Sequence, residues 1–151
     1  MRSLERHKLA YKIASEWKGR DEKKFKVIVQ LAQSYPIELR SVGIMQTIAF
    51  SLGKGDEGHT ALASAIATWL LSPESGEPLK KVKTSTGKES QESLNESART
   101  PHNLLPLLAN ADQAEYIAAD AEAIAFADTI KTISKALKKA KEAPAPSGVK
   151  P

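Results

Sequence analysis

Apolar residues recur at steps of three and four along most of the chain, the period of helices packed on a shared core. In residues 3–18, "SLERHKLAYKIASEWK", Leu9, Ile13 and Trp17 repeat every four positions with Ala10 and Ala14 beside them. Lys8 and Lys12 fall opposite, within helical pairing distance of Glu5 and Glu16. Ser3 is the expected N-cap and Gly19 the expected stop. The next segment, "DEKKFKVIVQLAQSY", carries acids at its start, where a helix dipole favours them. Phe25, Ile28, Val29, Ala32 and Tyr35 form one stripe, and Lys23, Lys26 and Gln30 lie across from it. Its Val and Ile content also suits a strand, but spacing and length favour a helix that Pro36 ends or kinks before Gly43.

"IMQTIAFSL" supports two readings: Ile44, Met45, Ile48, Ala49 and Leu52 mark a helical stripe, while Ile48, Phe50 and Leu52 alternate as a strand would. Ile48 and Phe50 are assigned to the core. "TALASAIATWLL" is Ala-rich and helical up to Pro73. Residues 73–100 are rich in Ser, Thr, Lys, Glu and Gly, with Leu79, Val82 and Leu94 scattered among them. That composition buries too little apolar area to offset ordering, so a mobile loop is expected. From Asp112, the expected cap, Tyr116, Ala119, Ala123, Phe126, Ile130, Ile133, Leu137 and Ala140 alternate steps of three and four. Lys131, Lys135 and Lys138 are expected on the far face. The fold class is all-α: a single-domain bundle of about five to six helices over residues 1–143, with a disordered tail at 144–151.

Charge refines this picture. The net charge is +4, with eleven Lys/Arg against five Asp/Glu in residues 1–54, five against seven in 55–100, and six against six thereafter. The basic excess thus sits in the first third. Aromatics make up only 5% of residues, too few for the rows of stacking rings that single-strand binders use. There is no cysteine, so neither a disulfide frame nor a thiolate metal site exists. The N-terminus has no secretory core and no stretch has the roughly 20 apolar residues that span a bilayer, so the expected location is the cytoplasm.

Two motifs invite chemistry. "GKGDEGHT" fits G-x-G-x-x-G at Gly53, Gly55 and Gly58, and fits a phosphate loop except that His59 replaces the lysine. Asp56 and Glu57 put carboxylates into that would-be anion cradle, and the chain has no room for a parallel sheet. The stretch is expected to be a helix C-cap at Gly53, a turn, and a new helix starting near Asp56. "RSLERH" places Arg2 and His7 at R-x4-H spacing, which resembles the catalytic motif of HEPN-type ribonucleases over six residues. His7, His59 and His102 show no metal-ligand spacing. Neither enzyme activity nor a metal or cofactor is expected.

"SYPIELRSVGIMQTIAFSLGK" (residues 34–54) resembles the signature of the small helical subunit of the Cmr complex, the type III-B CRISPR effector. Pro36, Gly43, Gln46, Thr47, Ala49, Phe50 and Lys54 match, with "KKFK" upstream. "ADAEAIAFADTIKTISKAL" (residues 119–137) is similar to that family's terminal helix, with Lys131 on the family lysine. Val42, Thr129 and Thr132 depart from its asparagine, tryptophan and arginine. The resemblance implies a non-catalytic helical subunit that stacks in several copies inside a ribonucleoprotein filament. Its implied partners are backbone and large effector subunits, further copies of itself, and guide and target RNA. On that reading Lys23, Lys24, Lys26, Lys54 and Lys131 contact RNA phosphate, while Gln46 and Thr47 hold a turn or reach a partner. The alternative is a helical adaptor that binds protein only.

Overall fold

A computed structural model describes residues 2–79, 82–83, 89–90 and 95–142. Six helices lie among them: α1 (Arg2–Lys18), α2 (Glu22–Val42), α3 (Ile44–Lys54), α4 (Glu57–Leu70), α5 (Pro101–Ala109) and α6 (Gln113–Glu142). The all-α expectation holds. Single 3-10 turns at Pro73–Ser75 and Glu96–Ala98 flank a two-residue antiparallel ladder of Val82–Lys83 with Glu89–Ser90. Part of the expected 73–100 loop, residues 80–81, 84–88 and 91–94, and the 144–151 tail lie outside the described residues.

Four of these helices begin at a local side-chain cap. The Asp21 carboxylate accepts from Lys23 N at the start of α2, and Thr100 and Asp56 do the same service for α5 and α4. At α6, Asp112 and Glu115 exchange bonds reciprocally, Glu115 N to Asp112 Oδ1 and Asp112 N to Glu115 Oε1. That is a capping box with acid in place of the usual hydroxyl. Ser3, by contrast, lies inside α1, which already begins at Arg2. Pro36 neither ends nor divides α2: the helix runs through it to Val42. The missing N–H forfeits one backbone bond, and the buried ring joins the core face with Tyr35 and Leu39.

α6 packs along both α1 and α2, and α4 fills the space beneath them. The α2–α6 packing is antiparallel. Ile44 N donates to Asp120 Oδ1 at one end, Arg40 pairs with Asp128 at 2.6 Å, and Gln33 Nε2 reaches the Lys131 carbonyl at 3.5 Å further along. The core gathers Phe25, Ile28, Tyr35, Leu39, Ile44, Ile48, Leu62, Ile66, Trp69, Leu104 and Phe126. Trp69 and Phe126 stack with ring centres 5.4 Å apart. Phe50, expected in this core, is instead 47% exposed. α3 buries Ile44, Thr47, Ile48 and Ser51, and Phe50 falls about 200° from Ile48 on an ideal helix.

Among the described residues one charged group enters the interior. Glu122 is 7% exposed. Its Oε1 accepts from Trp69 Nε1 at 2.9 Å and from Arg6 Nε at 3.0 Å, and Oε2 faces Arg2 at 3.5 Å. α1, α4 and α6 therefore share one carboxylate, and its burial is compensated by direct hydrogen bonds.

Candidate nucleic-acid interface

Between α2 and the C-terminal half of α6 runs an open groove of about 350 Å³ lined by Lys26, Val29, Gln30, Gln33, Lys135, Lys138 and Lys139. Four of these seven residues are lysines and none is acidic, so the groove has a positive rim. The charge sequence of α6 explains its location. Residues 112–130 hold five carboxylates and no Lys or Arg, whereas 131–142 hold five lysines and Glu142. The cationic half also lies at the helix C-terminus, where the dipole favours positive charge.

The five lysines singled out from the sequence do not form one site. Lys24 and Lys26 are two positions apart, about 200° around a helix, and so take opposite flanks of α2. Lys26 joins the groove, while Lys24 pairs with Glu57 at 3.3 Å, beside Arg20 on the same carboxylate at 3.6 Å. Lys23 is exposed on the outer face between them. Lys54 closes α3 with its ammonium 5.6 Å from the Phe50 ring centre. Lys131 is half-buried against α2, its carbonyl taken by Gln33. The expectation that Lys131, Lys135 and Lys138 lie on the far face of α6 is thus corrected: Lys135 and Lys138 line the groove against α2. Lys135, Lys138 and Lys139 are the groove residues that periodicity alone leaves out. The sign change along α6 is the signal that finds them.

Gln46 and Thr47 have separate roles. Thr47 is buried and its Oγ1 donates to the Gly43 carbonyl at 2.8 Å, a local fixture of the first turn of α3. Gln46 is exposed. The N-terminus of α3 is capped from outside: Ile44 N bonds Asp120 Oδ1 at 2.8 Å and Met45 N bonds Tyr116 Oη at 3.2 Å. Gly43 has φ +84, and a Cβ there would lie 3.1 Å from Tyr116 Oη. Glycine lets the chain turn from α2 to α3 while α6 stays close.

"GKGDEGHT" is a turn whose anion position is already filled. α3 extends through Gly53 to Lys54, and Gly55, not Gly53, takes the left-handed cap at φ +67. The Asp56 carboxylate accepts from His59 N at 2.8 Å and lies 2.8 Å from His59 Nδ1. The backbone bond from His59, then its side-chain bond, hold Asp56 below the usual carboxylate range. A Cβ on Gly58 would meet Leu31 Cδ1 at 2.5 Å, so this glycine serves the close approach of α2 and α4. Arg2 and His7 are likewise engaged within the fold. Arg2 faces Glu122, and His7 Nδ1 donates to the Ser3 carbonyl at 2.7 Å. Among the described residues no group of three or more His, Cys, Asp or Glu could hold a metal ion, and no helix is long and apolar enough to cross a membrane.

The chain is thus a small helical bundle whose described surface carries an open, lysine-lined groove. Residues 2–137 match the family described as CRISPR-associated protein (Cas_Cmr5), and the chain belongs to that family, the small subunits of the Cmr effector complex. No curated protein and no solved structure matches the chain. Membership implies association with other subunits of that CRISPR complex and a structural role within it.

Proposed function

We propose that this subunit holds RNA by its phosphate backbone within a type III-B effector, and that the α2–α6 groove is where the two meet. The observation that carries this reading is the convergence of Lys26, Lys135, Lys138 and Lys139 on one open, acid-free groove. Lysine ammonium groups on a groove rim neutralise phosphates without reading bases. Lys131 and Lys23 extend the positive surface on either side. Lys24, held by Glu57, and Lys54, over Phe50, are peripheral to it. The subunit works in the cytoplasm as a non-catalytic member of a filament, with cleavage performed by other subunits. Several copies stack along the guide–target duplex, so individually weak sites act together. The acidic first half of α6 keeps RNA toward its lysine-rich end.

Covalent crosslinking of the assembled complex on its guide and target RNA, followed by mass mapping of the adducts, tests this reading. Adducts are expected on Lys26, Lys135, Lys138 and Lys139. Adducts confined to other subunits would leave a protein-only adaptor as the better reading, and adducts confined to α1 would move the RNA contact away from the groove.

A further inference from the structure

α3 turns an unusual face to solvent. Met45, Gln46, Ala49, Phe50, Gly53 and Lys54 are all exposed, while Ile44, Thr47, Ile48 and Ser51 supply the buried side. Of the eight large apolar side chains exposed among the described residues, Met45 and Phe50 lie on α3, Val42 ends α2 just before it, and Ile117 lies on α6. Ile117 follows Tyr116, whose hydroxyl bonds Met45 N. The middle of the face is low. A Cβ built on Gly53 finds nothing within 4 Å, and Ala49 lies one turn before it. An apolar helix face with a small-residue centre admits a second helix at close range.

The charges on this face select the occupant. At the N-terminal end stands the Asp120 carboxylate, bonded to Ile44 N, and at the C-terminal end stands Lys54. The face is therefore complementary to itself when turned end for end. Antiparallel apposition puts each Lys54 toward the other copy's Asp120 and opposes the two helix dipoles. RNA suits this face poorly. Lys54 lies over the Phe50 ring and His59 meets that ring at 5.9 Å in an edge-on arrangement, so the aromatic faces needed for base stacking are partly taken. We infer that the outer face of α3 is a self-recognition surface on which two copies of this chain pair about a twofold axis. An isologous pairing closes on itself, so it forms a dimer of the free subunit and does not propagate a filament. It is independent of the RNA-binding reading. The face spans a single short helix, well below the area of a standard stable interface, so the dimer is weak and reversible.

The absence of cysteine makes the test direct. The twofold axis passes the middle of α3, so Ala49→Cys in the full-length chain places two thiols near each other across it. Under mild oxidation Ala49→Cys is expected to form a disulfide dimer about tenfold faster than Lys12→Cys on α1, since bridging demands close Cβ approach. Lys54→Glu, added to Ala49→Cys, is expected to slow this crosslinking, and helical circular dichroism verifies that each variant folds. Equal crosslinking rates at positions 49 and 12 would overturn the inference. So would sedimentation showing monomer alone at all concentrations.

Discussion

Tyr35 shows how a single polar atom is placed in the interior. Its hydroxyl is buried 2.8 Å from Ser51 Oγ, joining α2 to α3. Burial, the largest influence, pushes its pKa up to about 12, against the lowering effect of the Ser51 bond. The unfolded phenol ionises near 10, so between pH 10 and pH 12 the unfolded chain holds fewer protons than the folded one. Stability is then unaffected below about pH 10 and falls by about 1.4 kcal/mol per pH unit through that window. Tyr35→Phe is expected to lower stability by about 1 kcal/mol at neutral pH by stranding Ser51 Oγ, and to remove this share of the alkaline loss. Urea titrations at about pH 8 and about pH 11, below and inside the window set by the two ionisations, measure both effects. Asp56 behaves oppositely: its depressed pKa contributes stability above the usual carboxylate range that is lost as pH falls through the folded value. The apolar stripe through Tyr35 predicts its burial correctly, but the pattern of α3 also assigns Phe50 to the core. Alternation with Ile48 and Leu52 draws position 50 inward, and only packing on α4 and α5 decides which side of α3 faces the interior.

At the scale of elements, two short-range features depend on α6. The first is the cap on α3, where Asp120 supplies an acceptor that no residue before Ile44 provides. Asp120→Ala is expected to cost about 1 kcal/mol, with Asp120→Asn costing less because the acceptor remains. Thermal unfolding of the two variants distinguishes them. The second is Glu122, which ties α1 and α4 to α6. Glu122→Ala leaves the Trp69 indole N–H and a largely buried Arg6 without their acceptor. A destabilisation of about 3 kcal/mol is expected in equilibrium denaturation. Neither interaction is legible along the chain, because Ile44 and Asp120, like Arg6 and Glu122, are far apart in sequence. The helices themselves are legible, since caps such as Asp112 and the repeating apolar stripes act locally. Pro36 reads in the sequence as an end or a kink, yet α2 runs through it to Val42 and its ring lies on the buried face.

At the scale of the whole molecule, the charge pattern carries the functional account. Lysines counted along the first third overstate that third, since Lys24 and Arg20 are turned onto Glu57. The groove instead draws one lysine from α2 and three from the end of α6. Antiparallel packing creates that juxtaposition, and linear order does not show it. The family motifs are legible in segments 34–54 and 119–137, and the match over residues 2–137 agrees with them. The most direct measurement is the salt dependence of target-RNA binding by the assembled complex, with wild-type subunit or with Lys26, Lys135, Lys138 and Lys139 all changed to Gln. The substituted complex is expected to bind more weakly at low salt, with its log–log salt slope reduced by about 0.7 to 0.9 for each phosphate that is no longer neutralised. Unchanged affinity and slope, in a complex that still contains the substituted subunit, would contradict the claim that this groove holds RNA.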